Sequence, residues 1–121
     1  MLNVDPNGTV MVSKGDTFSL TLFINAGSDL KPIRYDMKDA DYLYFAIEEP
    51  NQLFEQAAVM KRIQNPKLDA HNNIIINFES SDTYNLCPGD YFYEIKGRFQ
   101  EEDGTYSIIT IIEKTPFVII N

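Results

Sequence analysis

Apolar and polar residues alternate along most of this chain, and that period of two constrains its fold more than any other feature. Successive side chains of a strand leave opposite faces of the pleat, so alternation marks a strand with one face in a core. Over 16–25, Phe18, Leu20, Leu22 and Ile24 fall on one face, with Thr17, Ser19 and Thr21 on the other. Over 42–48, Leu43, Phe45 and Ile47 alternate with Tyr42, Tyr44 and Ala46. Residues 73–79 contribute Ile74, Ile76 and Phe78 to one face. Residues 90–100 alternate Tyr91, Tyr93, Ile95, Gly97 and Phe99 with Phe92, Glu94, Lys96 and Arg98. The β-branched runs 105–113 and 117–120 suit two further strands, covered on both faces or paired in a central position. The opening Thr9-Val-Met-Val suits a short edge strand.

Turn chemistry separates these runs. Lys14-Gly15, Pro88-Gly89 and Asp103-Gly104 place glycine where the chain must reverse, and 101–104 closes a hairpin. Ser80-Ser81-Asp82-Thr83 suits the cap of one helical turn. The long connection 26–40 carries Tyr35 and Met37 two residues apart, consistent with a short strand. Residues 51–64 fit either a helix through Leu53, Ala57 and Met60 or a loop and then a strand through Val59, Lys61 and Ile63. The strand suits the surrounding pattern better. Roughly seven to nine short, mostly antiparallel strands make an all-β domain, a sandwich or small barrel, spanning residues 1–121 as one unit. The expected core is Phe18, Leu20, Leu22, Phe45, Ile47, Ile76, Tyr91, Tyr93 and Ile95.

Charge narrows the partners. With 18 acidic side chains against 10 Lys and Arg, the net charge is −8, which disfavours a phosphate backbone and argues against nucleic acid. No apolar run approaches the ~20 residues that span a bilayer. The start, Met1 to Gly8, lacks the basic and apolar regions of a signal peptide, so no membrane is expected as partner.

Little in the sequence carries chemistry. The lone histidine, His71, stands in a polar turn, and the lone cysteine, Cys87, precedes Pro88-Gly89. Neither has the neighbours of an activated nucleophile. Asp36, Asp39 and Asp41 are interleaved by Lys38, with Lys31 and Arg34 just upstream, and lack the spacing of a calcium loop. Glu48-Glu49 and the tip Glu101-Glu102-Asp103 read as solvated charge. No catalytic residue, metal ligand or cofactor is therefore expected. Phe23, Tyr42, Tyr44 and Phe92 fall on the outward faces of their strands and form a candidate protein-docking patch. Loop tyrosines such as Tyr35 and Tyr106, beside acids, suit the rival expectation of a carbohydrate-binding or host-surface recognition module.

Leu86-Cys-Pro-Gly-Asp-Tyr91 resembles the tyrosine corner of immunoglobulin-like sandwiches, with Leu86, Pro88, Gly89 and Tyr91 as its parts. Around it stand Gly15-Asp-Thr-Phe-Ser-Leu-Thr-Leu, Lys31-Pro-Ile-Arg, Ala40-Asp-Tyr-Leu-Tyr-Phe-Ala-Ile, the run from Asp82 through Ile95, Tyr106-Ser-Ile-Ile-Thr-Ile-Ile and Phe117-Val-Ile. In this order they are similar to the small immunoglobulin-like β-sandwich proteins of tailed phages and prophages. They also resemble the N-terminal domain of phage upper baseplate proteins. The likeness runs over about 100 residues, judged by the order of strand signatures. It implies an immunoglobulin-like sandwich located in a virion, made in the bacterial cytoplasm, that docks to other tail or baseplate proteins or to itself. The family brings no catalytic residues. Upper baseplate proteins continue into further domains, whereas this sequence ends at Asn121.

Overall fold

The computed structural model describes residues 2–22, 41–64, 67–68, 70 and 73–121. The chain is built mostly of strands: β1 (Leu2–Val4), β2 (Val10–Ser13), β3 (Phe18–Leu22), β4 (Tyr42–Glu48), β5 (Val59–Ile63), β6 (Lys67–Leu68), β7 (Ile74–Phe78), β8 (Gly89–Gln100) and β9 (Tyr106–Ile120). A 3-10 turn (Phe54–Gln56) precedes β5, and a short helix, α1 (Ser80–Tyr84), follows β7. One sheet has the order β1-β2-β9-β8-β4-β5 and the other β3-β7-β6. All-β it is.

Alternation places one face of each sheet in a shared core. Phe45 and Tyr93 of the larger sheet stack at 5.2 Å, and Phe45 meets Phe78 of the smaller sheet edge-on at 4.9 Å. Phe18 and Phe78 stack at 4.6 Å, while Phe117 of β9 packs edge-on against both Phe45 and Tyr93. Eight of the nine expected core residues are buried; Leu20 is only half-buried, packed at the margin of the cluster.

Three expectations need correction. The run at 9–12 is not an edge strand: β2 lies between β1, which takes the edge, and β9. It pairs parallel to β9, the exception among otherwise antiparallel neighbours in the described sheets. The runs 105–113 and 117–120 form one strand, β9, because Pro116 sits opposite Phe92 just before pairing to β2 begins at Phe117. Its missing N–H therefore breaks no ladder on the β2 side. The 117–120 part of β9 is central as expected, paired between β2 and β8, whereas its 106–112 part is not covered on both faces, since Tyr106 and Ile108 are exposed. At α1 the N-cap position is Glu79, and of the run 80–83 it is Asp82 that caps the turn as expected, its carboxylate accepting the Glu79 N–H at 2.8 Å.

The ambiguous stretch 51–64 ends in the favoured strand, β5, whose Val59 pairs with Ile47 and whose Ile63 pairs with Leu43. The 101–104 hairpin closes through Gly104, whose φ of +87° lies where side chains are disfavoured. Four residues of β8 (Tyr93 to Lys96) face six of β9 (Thr115 to Thr110). Two extra residues leave the in-out parity of β9 unchanged on both sides of the bulge. The proposed strand around Tyr35 and Met37 lies outside the described residues.

Candidate functional site

The outer face of the larger sheet is assembled by register. Tyr42 pairs with Arg98, which pairs with Ile108 across β4, β8 and β9. The next row holds Arg62, Tyr44, Lys96 and Thr110. Cross-strand neighbours on one face meet side by side, so aromatic rings and cations interleave. The Arg62 guanidinium lies 5.0 Å from the Tyr42 ring centre, and that of Arg98 lies 3.7 Å from Tyr106. Ile108 is 69% exposed beside them.

The loop 49–57 straps this face. Phe54 meets Tyr44 edge-on at 6.4 Å, and the Lys96 ammonium sits 4.4 Å from the Phe54 ring centre. Lys114 Nζ donates to the Gln52 carbonyl at 2.7 Å and lies 3.0 Å from the Glu48 carboxylate. Although Ala46 and Glu48 point outward with Tyr42 and Tyr44, both are fully covered. Glu94, opposite Ala46, is buried beside Glu48. Burial is the main force holding the Glu94 carboxyl above the usual carboxylate range, helped by the neighbouring Glu48 carboxylate.

Of the docking patch read from sequence, the structure brings Tyr42 and Tyr44 together at 6.4 Å. Phe92 lies further along the face, opposite Glu48 and Pro116, with Glu94 between it and the tyrosines. Phe23 lies outside the described residues. Arg62, Phe54 and Ile108 join the tyrosines without having been singled out. For Arg62 and Ile108 the signal was available, since strand alternation carried across a register places them on this face. For Phe54 it was not, because a loop has no period.

At the corner, the Tyr91 hydroxyl donates to the Cys87 carbonyl at 2.7 Å, and Leu86 packs against the core. Pro88 and Gly89 are exposed, and Gly89 opens β8. Cys87 is exposed, and His71 lies outside the described residues. Asp41, buried, accepts the Gln100 N–H at 2.8 Å; Asp36, Asp39 and Tyr35 lie outside the described residues. Among the described residues no three His, Cys, Asp or Glu side chains gather as a metal site, and no helix is long and apolar enough to cross a membrane. A cavity of about 270 Å³ opens between β1–β2 and β3, walled by Leu2, Val4, Leu20, Phe45, Ile76 and Tyr93 among others. Its lining includes no carboxylate, cation, histidine or cysteine. No family model, curated protein or solved structure matches the chain.

Proposed function

We propose that this chain is an interaction-only structural protein of a phage or prophage particle, a tail or baseplate component without catalytic role or cofactor. In this reading it is an immunoglobulin-like sandwich of seven to nine strands that docks neighbouring virion proteins or further copies of itself. The Tyr91–Cys87 hydrogen bond supports the sandwich assignment, since that contact is the working part of a tyrosine corner. The phage assignment rests on resemblance, which is analogy, because a fold hosts many functions.

The observation that carries docking is the row Tyr42–Arg98–Ile108 with Tyr106 stacked beneath Arg98. Tyr and Arg held rigidly beside an exposed aliphatic side chain is the chemistry enriched at the centres of protein interfaces. Arg98 is pinned on a ring, so ordering it on binding costs little further entropy. The Tyr106 ring that the glycan reading needs already carries a guanidinium on one face, which favours docking over sugar stacking.

Mass spectrometry of purified particles and light scattering of the isolated chain test this. The expected results are presence in particles and a specific complex, with a tail protein or with itself. Arg98→Glu with Ile108→Glu should abolish that complex while the chain stays folded by circular dichroism. A monomer absent from particles that binds a defined glycan overturns the reading and transfers the assignment to host-surface recognition.

A further inference from the structure

We propose that Glu48 and Glu94 share one proton beneath the 49–57 strap, and that loss of this proton frees the strap and uncovers Tyr44 and Lys96. As regulation of the docking face, this rests on the docking reading; the latch itself does not.

The Glu48 side chain is fully buried, and neither carboxylate oxygen receives a hydrogen bond in the structure. Lys114 approaches one oxygen at 3.0 Å as an ion pair while spending a hydrogen bond on the Gln52 carbonyl. A buried acceptor without a donor is costly, and a second ionised carboxylate beside it more so. Glu94 stands diagonally across the β4–β8 ladder from Glu48, on the same face. A proton on Glu94 turns two opposed acceptors into an O–H···O bond and leaves one negative charge against the one Lys114 charge.

The surroundings offer no better solution. β8 brings Lys96, whose ammonium is held over the Phe54 ring, and β9 brings Lys114. Both draw Glu94 towards ionisation, but less than burial and Glu48 oppose it. On the other side of Ala46, β5 presents the neutral Met60, and the strap's own carboxylates, Glu49 and Glu55, are exposed. When the proton leaves for bulk water, two buried carboxylates face one close cation, and hydrating them requires an opening.

The strap is the part that gives way. Its hydrogen bonds run within itself: Gln52 N–H to the Glu49 carbonyl, Gln56 N–H to Leu53, Ala57 N–H to Phe54, and Glu49 N–H to the Gln52 side chain. Lys114 and the Phe54 ring contacts fasten it to the sheet. Asn51, at φ +70°, sits in the left-handed region within it.

Carboxyl carbon NMR titration of the isolated chain tests this, read beside hydrogen exchange of the 49–57 amides corrected for intrinsic pH dependence. The pair should release its protons in two separated steps, the upper above the ordinary glutamate range. Protection of the strap amides should fall about tenfold for each unit by which that step is raised. Glu94→Gln, which keeps a donor toward Glu48, should abolish the upper step and hold the strap protected throughout. Glu48→Gln should abolish the same step. Two carboxyls titrating together in the ordinary range, or strap protection flat across the upper step, overturns the latch. Because no partner enters these measurements, their failure leaves docking standing, and failure of docking leaves them unchanged.

Discussion

The Tyr93 hydroxyl donates a 2.7 Å hydrogen bond to the carbonyl of Gly8, joining the middle of β8 to the turn between β1 and β2. The ring itself stacks on Phe45, so one side chain spans the core and fastens the N-terminal hairpin to it. Gly8 has a φ of +87°, and a Cβ there would stand 3.3 Å from this hydroxyl. Tyr93→Phe keeps the packing and leaves the Gly8 carbonyl without its donor. It should cost about 1 kcal/mol, read as a lower denaturant midpoint at unchanged slope. An unchanged midpoint would show that the turn is not held by this bond.

Alkaline stability follows from the same tyrosine and from Tyr91. Burial is the largest cause raising both hydroxyls above the ordinary value of 10.0. The folded state therefore keeps its protons where the unfolded chain has lost them. Their contribution is whole below the ordinary tyrosine value and is lost as pH rises through the raised folded values. Denaturant midpoints measured upward from pH 10.0 should fall for the native chain. The fall should be shallower in the Tyr91→Phe, Tyr93→Phe double variant, and equal slopes would refute the assignment.

How much of this was legible beforehand depended on period. Strands β3, β4, β7 and β8 announce themselves because a half-buried strand alternates, and their inward residues follow directly. Strand β1 escaped because Leu2, Asn3 and Val4 are all exposed, so burial wrote no pattern there. Strand β9 looked like two strands because Pro116 and the bulge interrupt a run that the ladder carries through. Tyr42 and Tyr44 were readable as outward-facing, but what sits on them was not. The Phe54 contact and the covered Glu48 depend on how a loop folds back over a sheet, which no spacing encodes.

An inward-pointing lysine ties β5 to α1. Lys61, on the core side of its strand, donates to Asp82 Oδ2 at 2.7 Å with its ammonium 5.2 Å from the centre of the Phe78 ring. The same carboxylate oxygen accepts the Glu79 N–H that starts α1. Asp82→Ala thus removes a helix cap and an ion pair together, whereas Lys61→Met removes the pair and keeps the stem packed. The aspartate variant should be the more destabilised, by about 1 kcal/mol, the ordinary worth of a cap. Thermal unfolding of both variants decides it, and equal losses would assign the whole effect to the ion pair.

Gly97 is the position where the sheet tolerates least. It lies on the inner face of β8, and the Phe99 side chain folds back over it. A Cβ on Gly97 would stand 2.4 Å from Phe99 Cε2, 2.6 Å from Cζ and 3.1 Å from Ile111 Cδ1. Phe99 is 2% exposed and Ile111 6%, so neither ring nor methyl has free space to retreat into. A glycine inside a strand ordinarily weakens it, and one roofed by an aromatic ring recovers part of that loss through the contact. Gly97→Ala should therefore destabilise by about 1–3 kcal/mol, although alanine is the better strand residue in isolation. Phe99→Leu alone should also destabilise, because it leaves the floor of this site underfilled. Combined, the two changes relieve each other: the smaller side chain clears the volume that the new methyl claims. The double variant should then be more stable than the sum of the single losses predicts, by about 1 kcal/mol in a double-mutant cycle. Strict additivity would mean that the ring is not held over Gly97 in solution, and that the glycine is there for another reason.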